Sequence, residues 1–539
     1  MPLCGSNKHV IPDNGDGHQS LDLMDGKLVK EDVFPCLSRG SDAFRVYLTS
    51  SELILQSVKD EQTIERFQLE DLFGCHTLKH AKKANEPGAY LCFYMYPKNK
   101  RSGILSSVKS RERTPLVFLV QKPGKSFKEN LEFATKWKDE TLKHLRSLFP
   151  VWLNYKPFKS SSGSVHTTHE EDTVGQNLSD SRNYLTTTPE FSVAISSYHL
   201  LQRRYLVILN PKSGQGKSIS IYRDKVAPIL QEAGIKAELF ITERAGHANS
   251  FVSTANFHDL HGICTVGGDG LLFEVVNGLR SRPDGSQIAH IPVGVIAGGS
   301  GNGLARSLAS YTGESSDYLK NPVLSTTLAV ARGRVVQVNL TEVDLDEKRL
   351  FSFLSAGWGL LADIDVESEI LRPIGEPRFT VWSLLRLMKL KTYRAQLSYI
   401  PCSHVSEKPV IREPIPETDV GDISARTSIE GDFISIYSSI QSYIGSDLIF
   451  APKATANDGR IHLTFIRSNA GRACATQFLL ALDKGTHTNI NGVTYVAVKE
   501  FSLQSKGGIG GNLVIDGERV SAEKMIVRIS PTPLNVFSM

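Results

Sequence analysis

The chain has few cysteines and no long hydrophobic run. Its 539 residues include seven cysteines, which are widely scattered and never spaced as Cys-x-x-Cys. This pattern argues against a disulfide scaffold and a zinc site, and favours a reducing compartment. No run of about 18 apolar residues occurs, so we expect no membrane-spanning helix. The N-terminal residues lack the basic start and apolar core of a signal peptide. We therefore expect a cytoplasmic protein that is recruited peripherally to membranes.

Net charge is also small. The formal value is +4 over 539 residues, which by itself indicates no partner. The charge is uneven, however, because the segment from His76 to Pro150 contains 16 Lys and Arg but only 6 Asp and Glu. A basic segment on a nearly neutral chain favours contact with an anionic membrane surface, a phosphoinositide or a nucleic acid.

The N-terminal part of the chain is predicted to hold one β-rich domain between two flexible segments. Residues 1–40 are rich in Gly, Asp, Asn and Ser, and residues 156–200 form a Ser/Thr-rich linker. Between them, residues 41–155 show strand patterns such as Tyr90–Tyr96, followed by one helix-like segment that contains Trp137. This arrangement resembles a pleckstrin-homology-like domain with a regulatory or membrane-binding role. Another kind of small β-domain stays open as the alternative.

Residues 201–333 alternate between strand and helix patterns, whereas residues 334–539 are mostly strands. The alternation predicts an α/β domain with a parallel sheet covered by helices. The strands predicted for this domain are Tyr205–Asn210, Lys236–Thr242, Gly262–Val266 and Val293–Ala297. The later strands predict an antiparallel β-sandwich or barrel-like domain. That domain carries a helical segment, Phe379–Leu390, and a proline-rich, acidic loop insertion at residues 401–430.

Three glycine-rich turns follow predicted parallel strands. They run from Asn210 to Ser218, from Gly267 to Gly270 and from Gly298 to Gly303. The first is not a P-loop, because Pro211 stands where that motif requires glycine. Ligands in open α/β sheets bind at the carboxyl ends of the strands, where such turns offer backbone N–H groups to phosphates. The sequence therefore predicts a nucleotide site that contains one acid, Asp269, although a structural turn aspartate is the plainer alternative.

Several motifs carry a resemblance to a known family. Asn210-Pro211, Gly268-Asp269-Gly270 and Gly299-Ser300-Gly301 are similar to the diacylglycerol-kinase-type catalytic domain of lipid kinases. Further along the chain, the run from Asp363 to Glu369 and the turn Asp516-Gly517-Glu518 resemble the sphingosine kinase family. One departure is visible at Gly267, where animal members of that family usually have serine.

The resemblance implies an ATP-dependent lipid kinase that uses Mg²⁺. It would phosphorylate the primary hydroxyl of sphingosine or a related sphingoid base, giving sphingosine 1-phosphate, with Asp269 as the base. The residues implied to surround the nucleotide are Asn210, Pro211, Lys212, Thr242, Glu243, Arg244, Ala245, Gly246, Glu274, Gly299, Ser300, Gly301, Arg372, Arg378, Asp516, Gly517 and Glu518. The residues implied at the lipid substrate are Gly267, Gly268, Asp269, Gly270, Ser355 and Asp365. The direct Mg²⁺ ligands stay unassigned, although Asp516 and Glu518 are expected to help place the ion, directly or through water.

Asp365 separates the candidate substrates. A sphingoid base carries an ammonium near its hydroxyl, which a carboxylate can pair with, whereas ceramide and diacylglycerol offer no cation there. Asp363 alternates with Asp365, as two residues on one face of a strand would. A ceramide or diacylglycerol kinase, a NAD kinase, and an inactive kinase fold that binds phosphoinositides stay open as alternatives. We expect no nucleic-acid partner, and a homodimer stays open.

The segment Phe379–Leu390 has two interpretations. Its apolar residues lie close together with basic residues beside them. It is either a lid that touches the bilayer and admits the lipid tail, or an ordinary helix that packs on the sandwich.

Overall fold

The structure is a computed structural model. It describes residues 27–80, 86–100, 109–148, 191–193, 203–257, 259–299, 301–374, 377–402, 426–506 and 511–539. Most of the predicted linker at residues 156–200 and of the predicted insertion at 401–430 lies outside these ranges, as does Ser300. Among the described residues, no helix combines the length and the hydrophobicity needed to cross a membrane.

The N-terminal region forms an eight-stranded antiparallel sheet, so the prediction that this region is β-rich is confirmed. The strands are β1 Leu28–Cys36, β2 Asp42–Thr49, β3 Glu52–Ser57, β4 Ile64–Gln68, β5 Leu72–His80, β6 Ala89–Met95, β7 Lys98–Lys100, β8 Lys109–Arg111, β9 Thr114–Val120 and β10 Phe191–Val193. Their order is β10-β5-β6-β9-β1-β2-β3-β4, and β7 and β8 form a separate ribbon. Helix α1, Phe127–Leu148, packs Trp137 against Phe34 with ring centroids 5.5 Å apart.

One expectation for this region needs correction. Residues 1–40 are predicted to be flexible, yet residues 28–36 form strand β1. The strand is ordered because it pairs with β2 along its length and buries Phe34 and Cys36 in the core. Residues 1–27, which are rich in polar residues and glycine, dominate the composition of residues 1–40, so composition alone does not reveal strand β1.

The α/β domain begins with four parallel strands in the order β12-β11-β13-β14, at the positions predicted from sequence. These strands are β11 Arg203–Leu209, β12 Ile235–Ile241, β13 Gly262–Gly267 and β14 Val293–Ala297. The helices are α2 Ser213–Gly216, α3 Ser218–Ile221, α4 Ala227–Glu232, α5 His247–Thr254, α6 Asp269–Arg280, α7 Gly285–Ile288, α8 Gly303–Tyr311, α9 Ser315–Lys320 and α10 Pro322–Arg332. Helices on both faces bury the strands, which explains their nearly continuous apolar runs.

The second domain is an antiparallel sheet of ten strands. In chain order the elements from residue 334 are β15 Arg334–Val338, β16 Thr341–Asp344, β17 Arg349–Ser352, β18 Ser355–Gly359, α11 Leu360–Ser368, α12 Pro377–Met388, β19 Tyr393–Pro401, β20 Thr427–Ser439, β21 Ile461–Arg467, α13 Gly471–Ala481, β22 Val493–Ser505, β23 Leu513–Ile515, β24 Glu518–Val520, β25 Lys524–Ile529 and β26 Leu534–Ser538. Strands β19, β20, β21 and β22 pair in a closed ring. The other strands extend from this ring on two sides.

Two of these strands belong to the first domain. Strand β26 pairs in parallel with β14, and β15 pairs antiparallel with β26, so the α/β sheet has six strands. The sheet therefore continues past the boundary predicted at residues 333 and 334 and takes back residues 534–538. Sequence could not reveal this, because the pairing joins segments some 200 positions apart in the chain.

The N-terminal domain packs on the α/β domain through a buried acid. Glu232 at the end of α4 is fully buried, and its carboxylate accepts hydrogen bonds from Tyr96 Oη at 2.6 Å and Arg113 Nε at 2.7 Å. The backbone N–H of Arg111 donates to Asp317 at 2.9 Å, and Lys98 pairs with Glu314 at 2.8 Å. Part of the positive charge counted in the basic segment is thus paired within the chain.

Candidate functional site

The three glycine-rich turns meet at the carboxyl edge of the parallel strands. A Cβ on Gly268 would lie 2.8 Å from the carbonyl oxygen of Gly301, and one on Gly299 would lie 2.6 Å from the Cα of Gly268. A Cβ on Gly214 would overlap the carbonyl oxygen of Gly298. Only glycine permits backbones to approach this closely, so the turns form one continuous surface rather than three separate loops.

Asp269 is the first residue of α6 and lies inside this surface. Its side chain is 7% exposed, and Oδ2 accepts a hydrogen bond from the backbone N–H of Gly303 at 2.7 Å. Oδ1 is buried without a hydrogen-bond partner among the described residues. Burial raises the pKa of Asp269 to about 7, the Gly303 bond lowers it, and the nearby charge of Asp516 raises it. One oxygen is fixed and the other is left to accept from a ligand.

The first glycine-rich turn is shaped by Asn210. Its side-chain oxygen accepts a hydrogen bond from the backbone N–H of Lys212 at 2.9 Å, which folds the chain around Pro211. Both Gly214 and Gln215 have a positive φ, and the turn ends in short helix α2. The Lys212 side chain therefore stays on the outer side of a tight bend, where it is exposed.

The loop from Thr242 to Gly246 follows the neighbouring strand β12. Its position depends on Glu274 of α6, whose Oε1 accepts from the backbone N–H of Gly246 at 2.8 Å and whose Oε2 accepts from that of Ala248 at 3.0 Å. Glu274 thus holds the beginning of α5 rather than pointing a free carboxylate at a ligand. Glu243, Arg244 and Ala245 form the turn that this anchor fixes, and their side chains are exposed.

The turn from Asp516 to Glu518 reaches this site from the second domain, but its two acids have different surroundings. Asp516 is buried, and Oδ1 accepts from Ser352 Oγ at 2.6 Å and from the backbone N–H of Ser355 at 2.8 Å. Further donors are the backbone N–H groups of residues 353 and 354. This carboxylate therefore organises the β17–β18 turn, whereas Glu518 is exposed and its Oε1 lies 2.6 Å from where a Cβ on Gly270 would stand.

Asp363 and Asp365 lie on helix α11, and the prediction that they share one face of a strand is wrong. Residues two apart on a helix point about 200° apart around the axis. Asp363 accordingly accepts from Asn512 Nδ2 at 2.8 Å. Asp365 lies on the side of the cleft, where its Oδ2 is 3.4 Å from the position of a Cβ on Gly517. Burial raises the pKa of Asp365 to about 7, although Arg378 lowers it.

Helix α12 is joined to α11 and the following turn by a polar seam. Arg378, Trp382 and Arg386 are spaced four residues apart, so they lie on one face of α12. Arg378 pairs with Glu369, Trp382 Nε1 donates to Glu367 at 2.9 Å, and Arg386 pairs with Asp363 at 3.1 Å. Arg378 thus lies near Asp365, while the side chain of Arg372 lies outside the described atoms.

A neighbouring face of α12 is apolar and faces solvent. The exposed fraction is 63% for Leu384 and 58% for Met388, and Val381 and Leu385 are also exposed. Helix α12 therefore buries its two arginines and exposes four of its apolar side chains to solvent. Exposed apolar surface of this kind is typical of partner or membrane contacts, while Phe379, Trp382 and Leu387 of the same helix pack against the domain core. The lid interpretation stays a prediction.

One residue beside the predicted substrate residues is not predicted from the sequence. Tyr437 of β20 is buried, and its Oη lies 3.2 Å from Ser355 Oγ. It lies in a strand whose pattern predicts only core packing, so no local signal marks it. The predicted substrate residue Ser355 is thereby brought next to a second hydroxyl, and both lie close to Asp516.

A pre-formed metal site is absent from the described part of the chain. No group of three or more His, Cys, Asp or Glu residues there has the arrangement of a metal centre. The acids of the cleft fit Mg²⁺ only in the way typical of nucleotide enzymes, in which one or two carboxylates act together with substrate phosphates. The oxygens of Asp516 already accept from four donors, and Glu518 lies beside Gly270 in the cleft.

Comparison with family models matches both domains. The model described as diacylglycerol kinase catalytic domain matches residues 204–343. The model described as YegS C-terminal NAD kinase beta sandwich-like domain matches residues 423–538. The matches span the parallel sheet with its three turns and most of the antiparallel domain.

Curated relatives narrow the family. Human "Sphingosine kinase 1" is 35% identical over 350 residues, which cover 61% of this chain and 89% of the relative. Human "Sphingosine kinase 2" is 26% identical over 623 residues, which cover 90% of this chain and 88% of the relative. "Sphingoid long chain base kinase 4" of Schizosaccharomyces pombe is 29% identical and covers 61% of this chain and 73% of the relative. With this identity over nearly the whole of a relative, and with the three turns and Asp269 assembled in one cleft, the chain belongs to the sphingosine kinase family of lipid kinases.

Proposed function

We propose that the protein transfers the γ-phosphate of ATP to the primary hydroxyl of a sphingoid base such as sphingosine, giving sphingosine 1-phosphate. The observation that carries this proposal is the carboxylate of Asp269, with Oδ2 fixed by Gly303 and Oδ1 buried without a partner among the described residues. A buried acceptor without a donor is costly, and a substrate hydroxyl would satisfy it. The cleft thus has the hydrogen-bonding requirement of an alcohol-binding base.

The chemistry requires the proton of that hydroxyl to leave as the oxygen attacks phosphorus. Asp269 receives the proton on Oδ1, while the Gly303 N–H holds the carboxylate in one orientation. A base whose pKa is near the working pH is effective, and burial raises the pKa of Asp269 to about 7. The bond from the γ-phosphorus to ADP breaks, and the phosphoryl group moves to the substrate oxygen.

The phosphates of ATP are proposed to lie over the glycine-rich turns. The turns provide close backbone approach and the N-terminal ends of α6 and α8, which favour anions. The proposed contacts are Asn210, Pro211, Lys212, Thr242, Glu243, Arg244, Ala245, Gly246, Gly299, Ser300 and Gly301, with Glu274 holding the loop of the second strand. Arg372 and Arg378 are proposed to approach the phosphates from the second domain. Mg²⁺, when bound, would neutralise phosphate charge, and Glu518, which lies beside Gly270 in the cleft, is proposed to help hold it.

Asp365 is proposed to pair with the ammonium of the sphingoid base. It lies in the cleft beside Gly517, on the same side as Glu518 and Arg378. Because its surroundings raise its pKa to about 7, a cationic ligand would stabilise its charged form. Gly267, Gly268 and Gly270 are proposed to contact the head group beside Asp269. An amide or ester at that position would leave this carboxylate without a counter-charge.

The apolar cluster under α12 is proposed to receive the lipid tail. This cluster contains Ile364 of α11, Phe478 of α13 and Phe450, which precedes β21. The side chains of Phe379 and Trp382 on α12 pack against it. The outward aliphatic face of α12 would contact the bilayer from which the lipid is drawn. We propose that the protein acts at the cytoplasmic surface of membranes in this way.

The division of labour between domains is also a proposal. Residues 41–155 would form a pleckstrin-homology-like regulatory domain, which the antiparallel strands and the closing helix α1 support. The segment 201–333, extended by β15 and β26, would bind ATP, and the rest of 334–539 would bind the lipid. A homodimer remains a separate proposal, to be tested by light scattering of the purified chain.

Labelled ATP and thin-layer chromatography test the function. The purified chain should label sphingosine and dihydrosphingosine strongly, and ceramide, diacylglycerol and NAD weakly or not at all. Asp269→Asn, purified in parallel, should lose the labelled product. Labelling of ceramide or diacylglycerol in preference to the sphingoid bases would overturn the proposal, and so would equal activity of the Asn variant.

A further inference from the structure

Tyr437 has a fixed position across strand β18. It is the register partner of Gly357, and a Cβ on that glycine would overlap the tyrosine ring. The other side of the ring packs on Phe450 at a centroid distance of 5.2 Å. Because Ser355 lies two residues before Gly357 on the same face of β18, the ring directs its hydroxyl toward Ser355. Glycine at 357 thus lets this side chain lie flat along the strand.

The hydroxyls of Tyr437 and Ser355 have two O–H donors between them, and only one of these is used in the hydrogen bond that joins them. Tyr437 Oη and Ser355 Oγ are 3.2 Å apart, so they share one hydrogen bond although each carries an O–H. The Ser355 backbone N–H is fixed by Asp516 at 2.8 Å. Burial and the nearby charge of Asp365 raise the pKa of Tyr437, which keeps the phenol protonated. One O–H of the pair is left to bind a ligand.

This hydroxyl pair lies close to Asp516, whose carboxylate accepts from the backbone N–H of Ser355. Asp365 acts electrostatically on Tyr437, and Asp516 acts on both Tyr437 and Asp269. A sphingoid base is a 2-amino-1,3-diol, so its second hydroxyl is adjacent to the carbon that bears the amine. If the primary hydroxyl binds Asp269 and the ammonium binds Asp365, the secondary hydroxyl comes close to the hydroxyls of Tyr437 and Ser355.

We propose that Tyr437, together with Ser355, is a specificity-determining residue that binds the secondary hydroxyl of the sphingoid base. This inference rests on the proposed function and names a further part of the same site. The side chain of Tyr437 neither donates nor receives a proton in the reaction, and it contributes to binding and not to the chemical step.

Matched substrates test the proposal. Dihydrosphingosine and its 3-deoxy analogue differ only in the secondary hydroxyl. Tyr437→Phe keeps the ring over Gly357 and against Phe450, and it should raise KM about 5- to 10-fold for dihydrosphingosine, the effect of one lost hydrogen bond. KM for the 3-deoxy analogue and for ATP should change less than about twofold, because neither uses the phenol O–H.

Two further variants complete the experiment. Tyr495→Phe removes a phenol O–H from His462, in a different part of the same domain, and should leave both lipid KM values unchanged. Ser355→Ala should shift the preference in the same direction as Tyr437→Phe. An equal loss on both lipids, or no change on either, would overturn the role of Tyr437. Failure of the unmodified protein to phosphorylate any sphingoid base would instead overturn the proposed function.

Discussion

The backbone N–H of Gly303 donates to Oδ2 of Asp269 at 2.7 Å, and this bond joins the second and third glycine-rich turns. It comes from the first residue of α8, so the carboxylate of one helix N-terminus is held by the N-terminus of another. Oδ1 is the atom that would accept the proton in the proposed reaction. The orientation of the base therefore depends on backbone geometry, which a side-chain substitution at Asp269 leaves in place.

Asp269→Asn should lower turnover by at least about 100-fold, the range for lost acid–base assistance. The amide oxygen can still accept from Gly303, so KM for ATP should stay within about twofold. Because burial raises the pKa of Asp269, removing its charge should not lower the melting temperature near neutral pH. Steady-state kinetics and a thermal melt check both statements. Turnover close to that of the unmodified protein would remove Asp269 from the mechanism.

The charge state of Asp365 should make stability depend on pH. Its pKa in the folded chain is about 7, above the value of 3.8 for an unperturbed aspartate, so the folded state holds an extra proton between these values. Stability is then highest below about pH 4 for this group and falls as pH rises toward 7, by at most about 1.4 kcal/mol per pH unit. Asp365→Asn should flatten this slope in urea melts, whereas exposed Asp483→Asn should not. Parallel slopes for both variants would contradict the assignment.

Asp365 should also decide between amine and amide lipids. Asp365→Ala removes one partner of a buried charge pair, for which a loss of about 2–4 kcal/mol in kcat/KM on sphingosine is expected. KM for ATP should change little. Sphingosine and an N-acylated lipid of the same chain length, assayed in one detergent, provide the comparison. The amide should gain relative to the amine in the variant, and an equal loss on both would make Asp365 structural.

The contact between Arg113 and Glu232 should hold the N-terminal domain in place. Glu232 is fully buried, so Arg113→Met leaves a buried carboxylate without its cation and should destabilise the chain by about 3–5 kcal/mol. Arg45→Met is the matched control, because Arg45 is about as exposed as Arg113 but pairs at 3.5 Å with Glu31, which is exposed. Its effect should stay below about 1 kcal/mol. Urea unfolding followed by tryptophan fluorescence measures both, and similar midpoints would show that the interface contributes little.

The outward face of α12 should determine membrane binding. Leu384→Ser should reduce sedimentation with anionic vesicles several-fold while activity on detergent-solubilised lipid is kept. Leu319→Ser on α9 makes the same change at a leucine that is 62% exposed in the α/β domain and should have no effect. Binding should also weaken with added salt, because exposed charges are screened over about 10 Å at 0.1 M. Equal binding by both variants would separate α12 from the membrane.

Local patterns were enough to predict that the glycine-rich turns lie at one edge of the parallel sheet. Each of strands β13 and β14 is followed directly by its turn, and the two strands pair in parallel. The two turns therefore meet beside Asp269 at the carboxyl edge of the sheet. Helix α11 was missed because Asp363, Asp365 and Glu367 alternate with apolar residues, which imitates a strand. The helix begins at Leu360, directly after Gly359, whose φ of +86° ends β18. Tyr437 and Glu232 gain their roles only through partners distant in the chain, which no local pattern contains.

Strand β26 links completion of the α/β sheet to the last part of the chain to be translated. Residues 534–538 pair with β14 and β15, so the sheet that carries the glycine-rich turns lacks an inner strand until they are in place. On the ribosome, the α/β domain must therefore wait until nearly the whole second domain has been translated before its sheet can be completed. A reporter fused after residue 338 would follow a sheet that still lacks β26 between β14 and β15.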